Sequence, residues 1–135
     1  MAITPEMLAR SGLESGEQKA LFCQAGLHVG KYPQLRWLHA IPNANSHRQV
    51  AEGVRAGVSD IMLPWPMAYD GEQSPSVCGL YIELKTEKRR KEKNGGCSDE
   101  QLEFLDYANK VGYKAVVAYG WQEAWEIIIA YLNGE

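Results

Sequence analysis

Cysteine is scarce in this chain. Three occur in 135 residues, Cys23, Cys78 and Cys97. An odd number at wide spacing makes neither a disulfide framework nor a zinc motif. Buried or unreactive thiols in a reducing cytoplasm are expected, and the cytoplasm is the expected location. The first residues, Met1-Ala2-Ile3-Thr4-Pro5-Glu6, lack a basic segment followed by an apolar one. No signal peptide is expected. No apolar run reaches the length that crosses a bilayer, so no membrane partner is expected. His28, His39 and His47 have no metal-ligand spacing. Neither a serine-centred nucleophile elbow nor a phosphate-cradling glycine loop is present.

What remains is the composition of a soluble domain. Hydrophobic residues make up 45% and charged residues 23%, which suits a single domain over residues 1–135 with one core. The net charge is −3, yet one stretch departs from it. Lys85, Lys88, Arg89, Arg90, Lys91 and Lys93 stand against only Glu87 and Glu92. Such a patch can bind a polyanion locally; it can equally be a solvated charged loop.

The patterning alternates helices and strands. Thr4-Pro5-Glu6 reads as an N-cap with proline at the first helical position, opening a short helix to about residue 10. A second helix is expected over 14–28. Its stripe of Leu21, Phe22, Ala25 and Val29, extended backwards, meets Gln18 and Glu14, with Glu17 at the edge. Residues 35–41 read as a strand stopped by Pro42-Asn43, and 46–55 as a helix ended by Gly57. Short strands are expected at 60–63 and 80–86, joined by a loop over 64–79. Trp65 in that loop, between two prolines, is the tryptophan to test for contact with a base or partner. The basic stretch and Asn94-Gly95-Gly96 read as a second, mobile loop. Ser98-Asp99-Glu100-Gln101 is a capping box for a helix to about 111, with Phe104, Leu105, Ala108 and Val111 inward. A strand at 115–119 and a helix at 121–132 complete the chain. The order implies α/β architecture, a mixed sheet flanked by helices.

The chemistry centres on Leu80-Tyr81-Ile82-Glu83-Leu84-Lys85. Side chains alternate along a strand, so Tyr81, Glu83 and Lys85 share one face. Asp60 opens the neighbouring apolar run. Phosphodiester hydrolysis needs a hard divalent cation held by oxygens and a positive group near the attacking water. Asp60, Glu83 and the Leu84 backbone carbonyl can supply the oxygens; Lys85 supplies the charge. Glu14 is costly on an apolar stripe unless it has a partner, and a metal would be one. Gln18, one turn on, can orient a water, and Gln101 can reach the same place. Each residue also has an ordinary explanation. Asp60 can be a turn residue, Glu14 can favour the helix dipole, and Gln101 can serve its capping box alone.

Three stretches together suggest a family. Gly57-Val58-Ser59-Asp60-Ile61, Leu80-Tyr81-Ile82-Glu83-Leu84-Lys85-Thr86, and Gly95-Gly96-Cys97-Ser98-Asp99-Glu100-Gln101 resemble the VRR-NUC (virus-type replication-repair nuclease) branch of the PD-(D/E)XK nucleases. Ile41-Pro42-Asn43 with Arg48 after it, and Gly112-Tyr113-Lys114-Ala115-Val116 followed by Gly120-Trp121, look like small phage members of that branch. The resemblance spans about residues 14–132. It implies a restriction-endonuclease-like fold and a Mg²⁺- or Mn²⁺-dependent DNA endonuclease in a bacterial or phage-infected cell. Asp60 and Glu83 match the metal-binding acids, Lys85 the catalytic lysine, Glu14 the N-terminal helix glutamate, and Gln101 the glutamine after the loop. Gln18 fits a less firmly assigned polar position. Lys88, Arg89, Arg90, Lys91, Lys93 and Arg48 are the expected DNA contacts. Standalone members resemble Holliday-junction resolvases and tend to be dimers, so the resemblance implies a homodimer on branched DNA. Ser59 departs from the proline common in the family. Two other classes stay open: a DNA-binding module without catalysis, and an interaction protein of a phage or mobile element.

Overall fold

The computed structural model describes residues 2–68 and 76–135. The middle of the expected 64–79 loop, residues 69–75, lies outside them; its two ends meet in a bridge between Met67 and Val77. Helix α1 (Pro5–Ala9) starts where the Thr4 side chain accepts the Met7 N–H. Helix α2 (Glu14–Leu27) follows, and Gly16 lets the two pack closely: a Cβ there would lie 2.8 Å from the Leu8 carbonyl oxygen. Among the described residues no helix is long and apolar enough to cross a membrane.

The strand expected at 35–41 is mostly not a strand. Pro33–Trp37 is a 3-10 turn, and only His39–Ala40 pairs, as β1. The cause lies in the spacing of Leu35 and Leu38. Both are buried while Arg36 and Trp37 are exposed, and a 3-10 turn superimposes positions three apart. Helix α3 (His47–Ala51) is shorter than expected. Gly53, with φ +98, breaks it well before Gly57.

Strands β2 (Ile61–Leu63), β3 (Leu80–Lys85) and β4 (Lys114–Tyr119) complete a four-stranded sheet in the order β1-β2-β3-β4. The first three are antiparallel and β3 runs parallel to β4. The parallel pair is joined through helix α4 (Asp99–Lys110), and helix α5 (Trp121–Leu132) ends the chain. Leu80, Ile82 and Leu84 point into the core with Ala20, Leu21 and Ala25 of α2 and Ala124, Ile128 and Tyr131 of α5. On the opposite face Tyr81 meets Phe104 of α4 edge-on, 5.0 Å between ring centres. Val111, expected inward, is exposed.

The basic stretch is not a loose loop. Glu87–Lys91 and Lys93–Gly96 form two 3-10 turns. Asn94, Gly95 and Gly96 all take positive φ, a conformation that glycine adopts without penalty. The turn is pinned where Tyr119 donates its hydroxyl hydrogen to the Gly95 carbonyl, 2.7 Å, and Arg89 donates to the Gly96 carbonyl, 2.8 Å.

Candidate active site

Glu83 and Lys85 sit on the α4 side of β3, as alternation requires, and both are buried. Phe104 of α4 covers Tyr81. Three residues back along the helix, Gln101 therefore lies over the next polar positions of the strand. Its amide joins them: Nε2 donates to Glu83 Oε2 at 3.2 Å, and Oε1 accepts from Lys85 Nζ at 3.1 Å. The same Oε1 accepts the Ser98 N–H at 2.8 Å, completing the capping box. Gln101 thus serves the helix terminus and the polar cluster together.

Asp60 reaches the cluster from the start of β2. Its backbone carbonyl accepts the Ile41 N–H at 2.7 Å, and its Oδ2 accepts the Leu84 N–H at 2.8 Å. The preceding turn depends on Gly57. A Cβ there would come within 2.7 Å of the Glu100 backbone, so only glycine lets this turn rest on α4. The Lys85 carbonyl accepts the Gly120 N–H on the β4 side. Carbonyls alternate along a strand, so the Leu84 carbonyl faces the β2 side, beside Asp60.

As a carboxylate, Glu83 would bury its Oε1 without a hydrogen-bond partner. Burial, aided by the neighbouring Asp60, pushes the Glu83 carboxyl up to about 9 although Lys85 opposes the shift. At neutral pH Glu83 holds a proton it can donate to Asp60. Lys85 Nζ lies 3.8 Å from Glu83 Oε2 and 3.9 Å from Glu14 Oε1. Burial also raises the carboxyl of Glu14, with Lys85 opposing.

The two glutamates at the start of α2 separate cleanly. Glu14 faces Lys85, whereas Glu17 accepts the Trp121 backbone N–H. Gly120 offers α5 no side-chain cap, and Glu17 takes that place from another helix. Gln18 is half-buried, and its side chain makes no hydrogen bond to any described residue. The buried thiol of Cys97 lies within electrostatic reach of Lys85 and Glu83, a neighbour that the sequence did not flag; Cys78 is exposed.

The basic residues divide into two groups. Arg89 binds Glu92 at 2.8 Å, and Arg90 binds Glu87 at 2.8 Å and Glu123 at 3.1 Å. Arg90 also lies 4.5 Å over the Tyr119 ring. Both arginines brace the turn. Lys88, Lys91 and Lys93 are exposed and, among the described residues, form no close ion pair, although Lys91 lies near enough to Glu87 to attract it. Arg48 is exposed on α3, paired with Glu52 at 3.0 Å.

Among the described residues no three Asp, Glu, His or Cys side chains gather as a ready metal site. The donor set still suits a hard cation. It offers two touching carboxylates, one with an orphaned buried oxygen, and an adjacent carbonyl. A cation there would relieve the repulsion that now keeps a proton on Glu83.

No protein-family model matches the chain, and no curated protein matches it. A solved structure described as a VRR_NUC domain protein does match. It superposes with a TM-score of 0.66 over 90% of this chain and 88% of that chain, at 22% identity. The chain has the α/β fold of that domain.

Proposed function

We propose that this protein is a VRR-NUC-type, metal-dependent DNA endonuclease. The observation that carries the reading is the Gln101 amide binding Glu83 and Lys85 at once beside Asp60. Two acids, an ammonium and an amide from separate elements meet there, and a purely structural sheet face has no need of them. Asp60, Glu83 and the Leu84 carbonyl would hold Mg²⁺ or Mn²⁺. When bound, the ion would supply Lewis acidity and acidify a water.

The chain's own groups do the rest. The Lys85 ammonium, aimed by Gln101, stabilises negative charge on the attacking oxygen or the phosphate. Glu14, half exposed at the mouth, orients water or takes its proton. Lys88, Lys91 and Lys93 bind the flanking phosphates, and Arg48 adds a further contact. Branched DNA such as a four-way junction is the proposed substrate. A two-fold homodimer would present paired sites to opposing strands.

The test is a panel of single-stranded, duplex, flap and four-way DNA with Mg²⁺, Mn²⁺ or EDTA. Cutting should require the metal and favour the branched forms. Lys85→Ala should lose cutting by about 10²-fold or more, while DNA binding persists. Metal-independent or unchanged cutting by that variant overturns the assignment. Light scattering should give a dimer mass; a monomer refutes the two-fold model. A second reading is DNA binding without catalysis; among the described residues no third ligating side chain joins Asp60 and Glu83. It predicts salt-sensitive binding and no cutting with any metal.

A further inference from the structure

A cleft of about 350 Å³ opens at the far end of β2 from Asp60, lined by Pro33, Gln34, Trp37, Pro64 and Trp65. Its volume falls within the range of small-ligand sites. Trp37 is 63% exposed and Trp65 39% exposed, so the cleft presents two large aromatic surfaces to solvent. The oxygen of the Gln34 amide is buried without a partner. The Arg36 guanidinium lies 5.2 Å from the Trp37 ring centre.

The chain segment that supplies Pro33, Gln34 and Trp37 carries charge of one sign. From residue 18 to residue 51 the chain contains no aspartate or glutamate, although its net charge is −3. The same stretch carries Lys19, Lys31, Arg36 and Arg48 and all three histidines. Exposed aromatic rings and the adjacent Arg36 guanidinium together suit an unpaired base. The rings stack on its face and the guanidinium meets its phosphate. A proline-rich peptide would also find aromatics and prolines, but it would leave the Arg36 guanidinium unused.

We propose that the Trp37–Trp65 cleft is a stacking site for an unpaired base of the DNA strand that reaches the active site. The identity of the ligand rests on the nuclease reading. Four residues, three of them in β2, separate Asp60 from Trp65, a span of at most roughly 15 Å at strand rise. One bound strand of a few nucleotides spans that distance. The cleft would thus give the enzyme a preference for DNA that offers an unstacked base near the cut.

The test is binding in EDTA, where cutting does not intervene. Fluorescence anisotropy at one fixed salt concentration would follow a labelled oligo-dT 20-mer and a labelled duplex of equal length. Trp37→Ala should weaken single-strand binding about tenfold and lower the single-strand to duplex affinity ratio to match. Trp37→Phe should recover most of the loss. Arg36→Ala, which removes only an exposed cation, should cost about threefold and stands in should Trp37→Ala not fold. Full single-strand affinity in Trp37→Ala, or in Arg36→Ala if that must serve, overturns the proposal. So does a proline-rich peptide that binds the cleft and resists displacement by oligo-dT. A protein that cuts with metal yet keeps full affinity in these variants loses only the cleft assignment. One that shows the affinity losses yet never cuts loses only the nuclease reading.

Discussion

The Asp60 carboxylate accepts the Leu84 backbone N–H at 2.8 Å, across the point where β2 ends and β3 continues. The acid replaces a ladder partner that the shorter strand cannot provide. Asp60→Asn keeps an acceptor for that N–H but removes the charge. It should therefore fold with little change in melting temperature, and metal-dependent cutting should fall about 10³-fold. Parallel melting and cleavage measurements check this. A large stability loss would show that the charge, not the acceptor, holds the strand end.

Gln101 does two jobs with one side chain, and substitution can part them. Glutamate serves a capping box as well as glutamine, so Gln101→Glu should melt near the wild-type temperature. It also places a further charge against Glu83 and cannot donate as the amide does; cutting should fall by about two to three orders of magnitude, the cost of one positioned donor. Gln101→Ala should lose both, with about 1 kcal/mol of stability. Equal activity in wild type and Gln101→Glu would reduce Gln101 to a cap.

Glu14 and Glu17 should fail in opposite ways. Glu17→Ala removes the cap on α5 and should cost about 1 kcal/mol in denaturant unfolding, with the activity of the folded fraction retained. Glu14→Gln, half exposed, should leave stability nearly unchanged and lower cutting, most visibly in the pH profile. The reverse pattern would exchange the two assignments.

Glu83 gives the metal-free protein a distinctive pH response. Its folded pKa, about 9, lies above the ordinary value of 4.5, so the folded state binds the extra proton between those limits. Stability should be fullest below about 4.5 with respect to this group and should fall as pH rises toward 9, by at most about 1.4 kcal/mol per pH unit. Melting in EDTA between pH 6 and 9 should show that slope, and Glu83→Gln should flatten it. Because a metal must displace the proton, Mg²⁺ affinity should rise over the same interval. A wild-type melting temperature that is level across this range would remove the shared proton from the account.

Much of the site was legible in the sequence because strand alternation is strict. Once residues 80–85 read as a strand, Glu83 and Lys85 had to share a face, and the capping box fixed where α4 begins. The tertiary pairings were harder to read. Nothing local says that Gln101 Oε1 serves both Ser98 and Lys85, since that depends on how α4 lies across β3. The basic stretch misled in part. The spacings Glu87 to Arg90 and Arg89 to Glu92, three apart, signalled helical turns, but the repeated charge was more conspicuous. The 35–41 segment misled because Leu35, Trp37 and Ile41 suit a strand. The pair Leu35 and Leu38, directly after Pro33, was the better guide.

Glu14 and Glu17 lie less than one turn apart on α2, one reaching toward Lys85 and the other seating α5. Rolling that helix by a small angle would disturb both attachments together. Heat or mutation that loosens the carboxy-terminal helix should therefore be felt first as lost turnover, before the molecule as a whole comes apart.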